Sequence, residues 1–262
     1  MVVPNGQVQA GPGTCNRQVR MHKMKKFLIA LLFAPVLAFA AGASIHLDKW
    51  PGSVSDKASL QNGAKLFVNY CMNCHGASYM RYQNLTDLGL TEQQVKENLM
   101  FTSDKIGDLM MVAARYDEQK KWFGAVPPDL TIIARARGEL GNPGAGADWL
   151  YTYLRTFYQD TKRPTGWNNV AFEAVGMPHV LWELQGTQVM NPETHKLELA
   201  VPGKMSPAEF DKAVSDLVGF MVWMGEPKQE FRQTLGIFVL AFLALLFVVA
   251  YALKKEYWKD IH

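Results

Sequence analysis

The sequence predicts a mainly α fold, helices wrapped round one covalently attached group, followed by a single C-terminal transmembrane helix. Three observations predict it. Residues Cys71-Met72-Asn73-Cys74-His75 spell C-x-x-C-H, apolar residues recur at helical spacing between the two ends of the chain, and Leu235 to Leu253 carries neither charge nor proline. C-x-x-C-H is the attachment signature of a c-type haem. The two thiols add across the haem vinyl groups as thioethers, and the following imidazole is placed to ligate the iron. A redox dithiol needs no trailing histidine. The expectation is therefore a c-type cytochrome domain round one covalent haem c.

The N-terminal end reads as an export leader over residues 1–40. Met24-Lys25-Lys26 gives a positive start, Phe27 to Phe39 is apolar, and Ala38-Phe39-Ala40 is a small-x-small cleavage site, so the mature chain is expected to begin near Ala41. A first membrane anchor is the rival reading, but thirteen residues are short for a bilayer. Of three cysteines, Cys15 falls in this leader, and Cys71 and Cys74 are committed to haem. No pair remains for a disulfide. The whole chain has 27 Lys+Arg against 24 Asp+Glu; without the five basic residues of 1–40 the balance is 22 against 24, or −2. A mildly acidic external surface suits a basic protein partner and argues against nucleic acid.

Residues 41–230 are one domain by size, external to the membrane and, in a bacterium, periplasmic. Asp56 to Tyr70 reads as a helix with Leu60, Ala64, Phe67 and Val68 on one face, leading into Cys71. Thr91 to Met100, Ser103 to Tyr116 and Asp148 to Tyr158 also read as helices, and Gly124 to Pro128 and Gly138 to Gly146 as loops. Gln185 to Leu199 alternates weakly, as a small hairpin does. Ser206-Pro207-Ala208-Glu209 is a capping box with proline at the first helical position, opening a helix that ends at Gly225 and Pro227.

Residues 231–253 form the transmembrane anchor and 254–262 a short cytoplasmic tail. Nineteen apolar residues rise about 28 Å, enough for the hydrocarbon core. Lys254, Lys255 and Lys259 follow, with Tyr257 and Trp258 at interfacial depth. The positive-inside bias puts the C-terminus in the cytoplasm. The protein is then a single-pass resident of the inner membrane, in contact with membrane lipid. A buried core helix is the rival reading, opposed by the missing polar face and the basic flank.

An electron carrier closes its iron with a second ligand, His or Met. Met177 lies in Val175-Gly176-Met177-Pro178, where glycine permits close approach and proline fixes the turn. His179, two residues on, is its rival, and spacing leaves both open.

Several further motifs, in order, resemble the cytochrome c1 family, the haem subunits of the bc1 complex (ubiquinol:cytochrome c oxidoreductase), in its bacterial form. They are Ile45-His46-Leu47, the haem motif, Tyr79-Met80-Arg81-Tyr82, Pro127-Pro128-Asp129-Leu130, Arg135-Ala136-Arg137, Gly176-Met177-Pro178, and Trp223-Met224-Gly225-Glu226-Pro227 before the anchor. The resemblance implies thioethers at Cys71 and Cys74, iron ligation by His75 and Met177, a propionate bond from Arg137, and a crevice wall at Pro127 and Pro128. It implies a subunit that is not catalytic alone. A Rieske iron–sulfur protein would supply its electron, a soluble or membrane-attached cytochrome c would collect it, and cytochrome b would pack on the anchor. The alternative is a haem c subunit of another membrane assembly such as a terminal oxidase. The chain departs from mitochondrial members: Phe101 to Gly124 is shorter, Gly138 to Ala147 longer, and Trp149 stands where some have tyrosine.

Overall fold

A computed structural model describes residues 45–138 and 144–259. The leader and its cleavage site, most of the Gly138–Gly146 loop and the last three residues of the tail lie outside the described residues. The described part of the compact unit that begins at His46 is mainly helical, with three two-stranded antiparallel ladders.

Helix α1, Lys57–Leu66, starts on Asp56, whose carboxylate accepts the Ala58 and Ser59 amides, and tightens into a π turn over Phe67–Cys71. A strand β1, Ala77–Arg81, and a 3-10 turn, Tyr82–Leu88, follow. Helix α2, Glu92–Asn98, carries a capping box on Thr91. Next come β2, Leu109–Met110, helix α3, Tyr116–Phe123, and the short helix α4, Ile133–Ala136. Helix α5, Ala145–Arg155, runs into the ladder of β3, Phe157–Gln159, with β4, Trp167–Asn169. The turn α6, Trp182–Gln185, leads to the hairpin of β5, Gly186–Met190, with β6, Leu197–Pro202. Helix α7, Pro207–Gly225, opens with the expected capping box on Ser206 and is followed by α8, Gln229–Tyr257.

The core forms where α1 lies along α7, with α4 and α5 closing over α7. Leu60, Ala64, Phe67, Val214, Leu217 and Phe220 are all buried there. The approach is close enough to require glycine: a Cβ on Gly63 would stand 2.1 Å from the Asp216 carbonyl oxygen. Polar groups at the same seam are paired, Ser59 Oγ and Asn62 Nδ2 donating to the Asp216 carboxylate at 2.6 and 2.7 Å.

One predicted helix is absent. Residues 103–115 hold no helix; Met110 pairs with Ala77 in the β1–β2 ladder, and the helix begins only at Tyr116. The backbone there is taken by distant partners, Tyr82 N–H donating to the Asp108 carbonyl and Gln83 N–H to that of Ile106. A second expectation shifts by a few residues. Helix α5 starts at Ala145, inside the expected loop, and its Gly146 presses against α4, where a Cβ would fall 1.7 Å from the Ala134 oxygen.

Helix α8 contains the expected span, is the one described helix long and apolar enough to cross a membrane, and has no buried residue.

Candidate haem site

The π turn delivers Cys71 into the core and swings the chain back at once. Cys74 and His75 both donate their amides to the Cys71 carbonyl, at 3.1 and 2.9 Å, so all three side chains spring from one tight loop. Cys71 is buried and Cys74 half-buried. Burial, with the neighbouring Cys74 thiol, pushes the Cys71 thiol up to about 12. A redox dithiol works through a thiol lowered toward neutrality, so this environment opposes that reading.

His75 Nδ1 donates to the Pro128 carbonyl at 2.7 Å, which leaves Nε2 as the free ring nitrogen. Burial lowers the imidazole below its ordinary range, against the opposing pull of the Pro128 carbonyl and Asp129. It is thus neutral at physiological pH, the form that can ligate a metal. Pro128 is itself held by its neighbour. Asp129 accepts the Ser78 amide and hydroxyl at 2.7 and 2.6 Å on one oxygen, and those of Thr131 at 2.9 and 2.6 Å on the other. Burial works against its charge, but these four bonds outweigh it and hold the carboxyl below the usual range.

Met177 is half-buried, and its thioether accepts a hydrogen bond from Tyr153. His179 is enclosed, its ring stacked on Phe157 at 5.0 Å and met edge-on by Trp167. Burial pushes it down to about 4 despite the Gln185 side chain. The two arginines separate. Arg135 Nη1 donates to the Gly225 carbonyl at 3.4 Å and lies 3.9 Å from the Glu226 carboxylate. Arg137 has no ion pair among the described residues and lies over Trp149, 4.3 Å from the ring centre.

Large apolar side chains stay exposed on the segments carrying Pro128 and Met177, namely Val126, Ile132 and Phe172. The Pro128 carbonyl meets His75, so exposed apolar side chains flank the segment that holds the imidazole, and uncovered apolar surface of this kind fits a haem macrocycle. A cavity of about 460 Å³ between Pro51–Asp56 and Asp211–Asp216 includes none of these side chains.

The model of the Cytochrome C1 family matches residues 48–261. The chain belongs to the cytochrome c1 family. It is 46% identical over 252 residues to the cytochrome c1 of Allochromatium vinosum, covering 91% of this chain and all of that one. It is 51% identical over 242 residues to a Nitrosomonas europaea protein named ammonia monooxygenase gamma subunit, covering 92% of this chain and all of that protein. The cytochrome c1 of Rhodospirillum rubrum is 27% identical over 249 residues, covering 84% and 89%. As a member of this family the chain carries one covalent haem c and is of the bacterial type, a haem subunit of respiratory electron transport.

Three side chains near this site escaped sequence reading as functional groups. Asp129 had a signal, since Asp-x-Thr is a spacing that turns the backbone on itself. Tyr153, one aromatic of several in α5, had none. Neither had Gln119, the one buried residue of helix α3, with Nε2 donating to the Cys74 carbonyl at 3.1 Å.

Proposed function

We propose that the chain relays single electrons within a bc1 complex, from a Rieske iron–sulfur protein to a soluble or membrane-attached cytochrome c. Haem supplies the one-electron couple, and the protein fixes where it sits and which ligands it meets. Cys71 and Cys74 hold it as thioethers, with His75 Nε2 and the Met177 thioether as the two iron ligands. The aromatic enclosure of His179 favours Met177 over it. Arg137 pairs with a propionate, a role for which Arg135 is less free because Glu226 and Gly225 engage it. Pro127 and Pro128 line the crevice, and having no N–H they expose no unpaired donor there.

The haem domain of 41–230 lies in the periplasm after a leader of 1–40 is removed. The anchor of 231–253 crosses the inner membrane beside cytochrome b, and 254–262 reach the cytoplasm. The observation that carries the proposal is the bond from His75 Nδ1 to the Pro128 carbonyl, which commits the motif's imidazole to one tautomer in a chain of this family.

The test is a reduced-minus-oxidised visible spectrum of the tagged protein, purified from membranes in mild detergent. A c-type band together with b-type bands reducible by ubiquinol supports the proposal. The Nitrosomonas relative's name favours a second reading, a haem subunit of a monooxygenase or other oxidase assembly. A c-type band accompanied by such subunits, without reducible b-type haem, would replace the first reading with the second.

A further inference from the structure

Tyr153 lies on α5 with its ring stacked on Trp149, centroids 4.8 Å apart at 12°. Phe157 meets it nearly edge-on at 5.1 Å and 69°. Its carbonyl accepts from Asn169 Nδ2 at 2.7 Å, which ties the end of the helix to β4. The phenol is therefore directed by its surroundings, and it points at Met177: the hydroxyl donates to Sδ at 3.4 Å. Among the described residues this is the one hydrogen bond that the hydroxyl makes. A thioether is a weak acceptor, and phenylalanine would fill the same half-buried space without a hydroxyl to satisfy. Packing alone gives no reason for the oxygen.

We infer that Tyr153 is the positioning residue for Met177, its hydroxyl occupying one of the two sulfur lone pairs and leaving the other for the haem iron. The inference rests on Met177 being the distal ligand. Two consequences follow from the chemistry. The hydrogen bond restricts the thioether to one orientation, so one sulfur lone pair and not its mirror image is offered. It also draws electron density from the sulfur. Ferric iron depends more on ligand donation than ferrous iron, so weaker donation favours the reduced form and raises the potential.

Tyr153→Phe in the full membrane-anchored protein isolates the oxygen, since the ring and its stack on Trp149 remain. We expect covalent haem and the red charge-transfer band of a thioether-ligated ferric haem to persist. At a fixed ambient potential near the midpoint, the oxidised-to-reduced ratio should rise about three- to ten-fold, the scale of one hydrogen bond. An unchanged ratio with an unchanged band would overturn the inference and leave Tyr153 as a packing residue. Met177→Leu tests the underlying reading separately. It should abolish the charge-transfer band, lower the potential and open the reduced iron to carbon monoxide. If it does none of these, the ligand assignment fails whatever Tyr153→Phe does. Should Tyr153→Phe not assemble, redox-difference infrared spectra of the wild type with isotope-labelled tyrosine decide. A tyrosine C–O band that shifts on reduction supports the bond, and its absence sinks it.

Discussion

At the scale of single residues, the site depends on one carboxylate that touches neither thiol nor imidazole. Asp129 fixes Ser78, three residues past His75, and Thr131, three past Pro128, so it locks the two segments that meet in the His75–Pro128 bond. Its folded pKa lies below the ordinary carboxylate value. The stability it contributes is therefore complete above that ordinary value, and is lost as pH falls from about 4 through the depressed one. Asp129→Asn puts an amide donor where Ser78 or Thr131 also donates. Thermal melts followed in the haem absorbance should show the variant less stable than wild type at pH 7, with the gap closing below about pH 4. A gap that is constant with pH would mean that the charge has no part in it.

The two arginines allow a second residue-scale prediction. Arg137 lies over the Trp149 ring, a contact worth about 0.5–1 kcal/mol at an exposed site. Arg137→Ala should loosen the haem environment, seen as a lowered melting temperature and a shifted midpoint, with attachment intact. Arg137→Lys should recover part of it, because the charge stays while the planar fork is lost. Arg135→Ala should leave the midpoint unchanged. Equal midpoint shifts from both arginines would dissolve the distinction between them.

At the scale of elements, the seam between α1 and α7 is where glycine is indispensable. A Cβ on Gly63 would stand 2.1 Å from backbone oxygen and 2.8 Å from the Phe220 Cβ. Helix backbone cannot yield as a side-chain tip does, so Gly63→Ala should force the helices apart at a cost of about 1–3 kcal/mol or more. The reading to make is the melting temperature with haem attached; a loss smaller than a degree or two would mean that the seam yields. The same seam shows what the sequence makes legible. Helix α1 is written in the local spacing of Leu60, Ala64, Phe67 and Val68, and α7 in the capping box of Ser206 and Glu209. The haem motif and the 3.6-residue periods are local signals of this kind. Residues 103–115 are not, because Ile106, Leu109 and Met110 mimic a helical face while Tyr82 and Gln83 claim the backbone of that segment from more than twenty residues away. Telling Met177 from His179 is likewise beyond spacing. The cage of Phe157 and Trp167 round His179 exists only once β3 and β4 have folded together with the segment that carries it.

At the scale of the whole molecule, the haem domain and the anchor are held by different forces. The domain buries its apolar side chains, whereas Ile237, Phe238, Leu240, Phe242, Leu245 and Phe247 of α8 are all more than half exposed. A water-soluble protein would not leave such a surface bare along a helix of 29 residues. Among the described residues the polar bonds between the two gather at the junction, with Lys228 paired to Asp87 at 2.8 Å, Arg232 to Glu226 and Ser55 to Glu230. Exposed pairs of this sort contribute little, up to about 1 kcal/mol each. Cutting the chain after Lys228 should therefore release a haem domain that stays in solution without detergent, with the visible spectrum and midpoint of the anchored form. Leu245→Arg tests the other half, because a cation at the centre of the span costs about 2.5–3.5 kcal/mol of insertion. That variant should shift toward the carbonate-extractable fraction while any folded material keeps its haem spectrum. If the truncated domain precipitates or loses its midpoint, the anchor contributes to the fold of the haem domain, and the two are not held by separate forces.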